Sequence, residues 1–219
     1  ELMTLFKEVA DIKTSKMLDL PTPKLKGGDY KTIVAPKSEE LGEYVDKLAE
    51  RSERIRNGCD PREDNMLLVT NDGRKAALDL RMIDPSMPDL PNSKINMAVE
   101  NIYRIWLENK EDKLTQLVFC DLSTPRNDGT FNVYDDIKNK LIAKGVPEEE
   151  IEFIHNAKTN PQKLKLFEDM RNGTKRILIG STSKMGAGMN VQDKLIALHH
   201  LDCPWRPSDI EQREGRILR

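Results

Sequence analysis

LIALHHLDCPWRPSDIEQREGRILR, residues 195–219, closes on the spacing Q-x-x-G-R-x-x-R formed by Gln212, Gly215, Arg216 and Arg219. Arginines three apart share one face of a helix. A guanidinium is always charged and presents a planar fork of donors, so such a pair suits a polyphosphate whose charge must be stabilised as its terminal bond breaks. The competing reading is a surface helix whose arginines pair with Glu211 and Glu214. The stretch upstream, RILIGSTSKMGAGMNVQ over residues 176–192, weighs against it. There an apolar run at 177–179 meets a small-residue loop with glycines at 180, 186 and 188, the pattern of a buried strand opening into a backbone-exposing turn. Glycine lets main-chain amides approach an anion, and Ser181, Thr182, Ser183 and Lys184 add hydroxyls and a charge for phosphate oxygens.

Working outward, residues 93–219 alternate between helical and strand patterns. A helix over 94–109 presents Ile95, Val99, Ile102, Ile105 and Trp106 to a core, and 117–122 is a buried strand. Helix 133–144, strand 151–154, helix 162–171, strand 177–179 and strand 195–201 follow. Strands separated by helices of this length imply a parallel sheet with right-handed crossovers and helices on both faces, an α/β fold. Ligands of such sheets gather at the carboxyl ends of the strands, so the loops after Leu122, Ile179 and Leu201 are expected along one edge. Before them, 1–28 reads as an arm, Tyr30 to Ala35 alternate like a strand, and Ser38 caps a long helix ending at Gly58. Residues 66–69 fit strand or helix, 73–82 reads as helix, and 84–92, with three prolines, as loop. The chain therefore divides into an arm (1–28), a strand plus helical segment (29–110) and an α/β lobe (111–219).

The order of the glycine loop, the Asp-x-Pro-Trp segment and the paired arginines is that of motifs V and VI of superfamily-2 helicases. The chain resembles the second RecA-like lobe of Swi/Snf-type ATP-dependent DNA translocases. Gly186, Gly188, Asn190 and Gln192 match their G-x-G-x-N-x-Q loop; Asp202, Trp205, Pro207, Gln212, Gly215, Arg216 and Arg219 match their D-x-x-W-N-P and Q-x-x-G-R-x-x-R segments. Arg206 departs from the usual Asn, and Ser183-Lys184 from Arg-Ala. FIHNAKT at 153–159 and DGRKAALDLRMIDP at 72–85 resemble more closely still the helicase region of large bacterial and phage proteins that join a helicase to an adenine-specific DNA methylase.

This resemblance implies an ATP-dependent DNA helicase or translocase, a hydrolase, in which Arg216 and Arg219 face the γ-phosphate, one as finger and one as sensor, and Gln212 orients or couples. Gly186, Gly188, Asn190, Gln192 and Gly215 would shape the nucleotide side, while Ser123, Thr124, Ser181, Thr182 and Lys184 would touch the DNA backbone. The implied cofactor is ATP with Mg²⁺, held mainly by a first RecA-like lobe, because no G-x-x-x-x-G-K-[ST] loop and no Asp-Glu strand end occurs in this chain. The implied partners are DNA, that first lobe and a fused methylase. The chain, which starts without methionine and stops after motif VI, reads as a fragment inactive by itself. Two alternatives stand beside this reading: a non-catalytic docking module that keeps the fold, and a translocase module serving a fused methylase in restriction or antirestriction.

Composition narrows the field further. The chain has 219 residues, 33% charged and 5% aromatic, with 35 basic against 37 acidic side chains and a net charge of −2, so any nucleic-acid contact must be local. Cys59, Cys120 and Cys203 form no C-x-x-C pair, which suggests neither disulfide framework nor zinc site and fits reduced thiols in the cytoplasm. No apolar run approaches the roughly 20 residues of a membrane span, and no signal peptide is visible. His199 and His200, adjacent in a strand, face opposite ways and cannot grip one metal ion. His155 at a strand end suits local hydrogen bonding or a nucleic-acid contact. Trp205, between Pro204 and Pro207, is expected to pack under the glycine loop, with base stacking as the alternative.

Overall fold

In the computed structural model, which describes residues 2–11, 17, 23–125, 129–185 and 189–218, a four-stranded parallel sheet carries the carboxyl-terminal lobe. Its strands are β1 (Thr115–Phe119), β2 (Ile151–Phe153), β3 (Ile177–Gly180) and β4 (Leu195–His200), in the order β2-β3-β1-β4. β1 sits centrally and all five of its residues are buried, as the continuous apolar run demands of a strand covered on both faces.

Alternation along the strands divides the core into two clusters. Val118, Ile177 and Ile179 face α4 (Lys94–Glu108) and α5 (Val133–Ala143), through Ile95, Val99, Ile102, Tyr134 and Ile137. Leu117, Phe119 and Leu178 face α6 (Asn160–Asn172), through Leu166, Phe167 and Met170. Helices therefore cover both faces, as expected of the α/β pattern. α6 starts at a Thr159/Gln162 capping box and stops at Gly173, whose φ of 75° is the left-handed conformation that favours glycine.

The amino-terminal half is helical. After α1 (Leu2–Val9), α2 (Glu39–Arg56) begins at Ser38, whose hydroxyl accepts the Leu41 N–H at 3.1 Å. α3 (Met66–Leu78) is capped by Asn65, so the ambiguous 66–69 stretch is helix and runs through Gly73 without a break. Arg51 ties the pair together, donating to Asp64 at 2.7 and 2.8 Å and to Asp72 at 2.9 Å. One 3₁₀ turn, Leu80–Met82, is pinned to the lobe by Arg81, which donates to Asp79 and to Asp136 of α5 and lies over Phe131.

Three expectations are corrected. Residues 30–35 form no strand, because alternation without a neighbouring strand leaves the backbone unpaired; Tyr30 and Val34 are exposed. The first strand ends at Phe119 rather than Leu122, where the chain turns away toward β4's loop. α4, placed before the division near residue 110, shares one core with β1 and α5, so the lobe begins earlier than its first strand.

A polar cleft at the strand ends

Each strand ends in a polar loop at the same edge of the sheet. Gly180 closes β3 where a Cβ would lie 2.5 Å from Ile154 and 2.6 Å from the Met185 sulfur, so only glycine lets the chain pass into the short α7 (Thr182–Met185). The loop after β4 leads through Pro204 into α8 (Pro207–Glu214). Between these loops lies an open cleft of about 400 Å³ lined by Asp121, Thr124, His155, Ser181, Thr182, Ser183, Asp209 and Gln212.

Six residues singled out in the sequence, Thr124, His155, Ser181, Thr182, Ser183 and Gln212, thus share one cavity. Lys184 is exposed on α7, and its charge adds to burial, the larger cause, in lowering the His155 pKa. Ser123 is turned inward, its hydroxyl accepting the Val133 N–H at 2.8 Å. The Asn190 side chain is exposed while its carbonyl accepts from Arg171, and Gln192 begins a 3₁₀ turn with its Oε1 buried. Gly215 caps α8 with φ −59°, an ordinary helical value. Gly186, Gly188 and Arg219 lie outside the described residues.

Arg216 is not on a helix face. α8 ends at Glu214, and Arg216 follows in a turn closed by its N–H donating to the Arg213 carbonyl. Its side chain, 8% exposed, points inward, and Nη1 donates to the Met189 carbonyl at 3.1 Å. Trp205 also departs from expectation: it is 64% exposed instead of packed under the glycine loop. The turn between the prolines holds the ring outward, where the Arg74 guanidinium of α3 lies 4.5 Å from its centroid and donates to the Cys203 carbonyl.

What sequence reasoning missed is the charged group under the cleft. Arg213 is fully buried and donates from Nε to Thr182 Oγ1 (2.7 Å), from Nη2 to Asp121 (2.7 Å) and Asp202 (3.2 Å), and from Nη1 to the Asp202 carbonyl (3.0 Å). Asp202 in turn accepts the backbone N–H groups of Asp121 and Leu122, closing the loop after β1 onto the loop after β4. The available signal was Ile210 and Arg213, three apart on the face of α8 that turns toward the lobe.

The histidines point to opposite faces, as the strand requires. His199 Nε2 meets Gln116 Oε1 at 2.9 Å, and His200 stacks on Phe119 beside Arg213. Burial, then the neighbouring His200, lowers His199 to about 4; burial, then Arg213, lowers His200 to about 4. Both values lie below the ordinary histidine range near 6.5, so the unfolded chain takes up protons that the folded chain refuses. The stability they contribute is complete above about pH 6.5 and is lost as pH falls toward 4. Melting temperature is therefore expected to fall across that window, and His199→Gln to flatten the slope; a melting temperature unchanged between pH 7 and 4 would contradict the assignment. His155, edge-on to Tyr134, is also lowered, by burial and then Lys184, and its Nδ1 is buried without a hydrogen-bond partner.

Among the described residues no group of three or more His, Cys, Asp or Glu side chains could hold a metal ion, and no helix is long and apolar enough to cross a membrane. Fold and site together define a RecA-like α/β lobe with its polar loops gathered at the carboxyl ends of the strands. Residues 94–219, more than half of the chain, match the helicase conserved C-terminal domain, and the chain belongs to that family. Among solved structures it is similar to the crystal structure of the Pyrococcus furiosus Hef helicase domain, at 15% identity and a TM-score of 0.40, over 80% of this chain and 32% of that one. The chain thus spans about a third of the length of that structure. A search of the curated proteins found no match.

Proposed function

We propose that this chain is the second RecA-like lobe of an ATP-dependent, Swi/Snf-type DNA helicase or translocase. The observation that carries the proposal is the convergence of Thr124, Ser181, Thr182 and Gln212 on one cleft; Arg216 follows Gln212 by four residues and is held inward on the Met189 carbonyl. Hydroxyls on that wall suit the phosphates of a DNA strand, and Lys184 beside them adds a local positive charge. Arg216 and Arg219 serve as finger and sensor toward ATP with Mg²⁺, which a first lobe carrying a phosphate-binding loop holds and Gln212 approaches from this side. Gly186, Gly188, Asn190, Gln192 and Gly215 serve the nucleotide side. The protein works in the cytoplasm.

A finer reading, translocation serving a fused DNA methylase, rests on the resemblance of residues 72–85 and 153–159 to the helicase region of helicase–methylase proteins. Residues 72–85 supply Arg74, which holds the loop before α8, and 153–159 supply His155 on the cleft wall.

The test is binding of this chain to duplex and single-stranded DNA as salt is varied. Engaging only a few phosphates, it is expected to bind without sequence preference at about 10⁻⁴ to 10⁻⁶ M, weakening steeply with salt and further in Lys184→Glu. Salt-independent or strongly sequence-specific binding would contradict the reading. In the same samples the chain alone is expected to hydrolyse ATP no faster than buffer; turnover that disappears in Arg216→Ala would show that the site needs no second lobe.

A further inference from the structure

Helix α8 carries both Gln212 and the approach to Arg216, yet it has little of its own to keep it in place. It is eight residues long, too short to be stable alone, and no side chain caps its amino terminus. Its one buried residue is not apolar but Arg213. Elsewhere in this lobe helices dock by apolar faces, which tolerate small slides; here the anchor is a directional fork. The guanidinium reaches the loops after all three neighbouring strands: Asp121 beyond β1, Thr182 beyond β3 and Asp202 beyond β4. The Thr182 hydroxyl donates to Asp121 at 2.7 Å while accepting from Arg213, so carboxylate, hydroxyl and guanidinium form one closed set. The Phe119 ring lies beneath it, 5.1 Å away.

An apolar side chain of similar volume would hold such a helix at comparable stability, whereas a fork saturated by two carboxylates and a hydroxyl fixes one register. We propose that Arg213 is a positioning residue: it locks α8 onto the strand ends and thereby sets where Gln212 and Arg216 stand relative to a nucleotide on the facing lobe. It touches neither nucleotide nor nucleic acid itself. The catalytic part of this inference rests on the helicase reading above; the structural part does not.

Arg213→Lys keeps the charge and removes the fork. In this chain, amide exchange over residues 207–218 is expected to quicken about tenfold or more, while β1 and β3 stay protected. Thr182→Val, which removes only the hydroxyl link, should quicken the same amides less, and reports on the lock if the lysine variant folds poorly. In the polypeptide or complex that supplies the phosphate-binding lobe, Arg213→Lys should lower kcat for ATP about tenfold with KM within threefold, and should add little to Arg216→Ala, because it acts through that residue. Wild-type exchange over 207–218 in both variants overturns the proposal, as does a kcat loss that multiplies with that of Arg216→Ala. A fully active Arg213→Lys beside an impaired Arg216→Ala overturns the positioning role alone. Full turnover in Arg216→Ala removes the helicase reading and the catalytic role of Arg213 with it.

Discussion

Arg216→Ala, made where the phosphate-binding lobe is present, is expected to leave ATP affinity close to wild type and to slow hydrolysis roughly 10³-fold or more. On the proposed reading the other lobe holds most of the nucleotide, so the loss is expected to fall on the transition state and not on binding. Arg216→Lys should rescue little, since a point charge on a flexible stem does not reproduce a planar fork. The structure adds a control, because Arg216 is buried and donates to the Met189 carbonyl. Losing that charged hydrogen bond costs about 1.5–3 kcal/mol of stability and must be measured on the same samples. Turnover near wild type in the alanine variant would remove the finger assignment, while lost turnover with a collapsed melting temperature would show only that the turn after α8 needs its arginine to fold.

The largest effect on stability is expected at Arg176, at the opposite end of the sheet. Its side chain is 1% exposed. Nε donates to the Leu114 carbonyl and Nη2 to the carbonyls of Trp106 and Asn109, satisfying the frayed end of α4 and the turn into β1. Trp106 lies under the guanidinium at 5.1 Å, and Glu150, 3.6 Å away, also accepts the Trp106 indole N–H. Arg176→Ala strands these acceptors inside the protein and is expected to cost about 3–5 kcal/mol, a large share of the 5–15 kcal/mol that typically holds a domain together. Arg104→Ala provides the contrast: its pair with Glu108 is half exposed on both sides and should be worth no more than about 1 kcal/mol. Denaturant unfolding of the two variants measures both; equal, small losses would show that the buried guanidinium is not holding α4 to the sheet.

Both arginines illustrate how far the sequence can be read. Helices and strands from residue 93 onward were legible because they depend on period: Ile95, Val99 and Ile102 mark a helical stripe, and 177–179 a strand buried on both sides. The cap at Ser38 was legible because a hydroxyl three residues before an amide satisfies a local need. Residues 30–35 misled for the complementary reason: alternation is a local pattern, but a strand exists only where another strand accepts its hydrogen bonds. Trp205 misled because two prolines fix the shape of a turn without saying which way its ring points.

Within the site, the spacing of Gly180, Gln212, Gly215 and Arg216 and the hydroxyl run at 181–183 were visible in the chain, and so was the edge at which they would gather. Their division of labour was not. Period and motif spacing are properties of the chain read along its length, and they determined the α/β class, the order of the elements and the family. Whether a guanidinium meets solvent, a carbonyl or a carboxylate depends on groups far apart in sequence. Arg213 meets Asp121 across ninety-two positions and Arg176 meets Trp106 across seventy. Only the packed sheet, by bringing those groups into hydrogen-bonding distance, decided that Arg213 and Arg176 are interior anchors and that Arg216 rests on Met189.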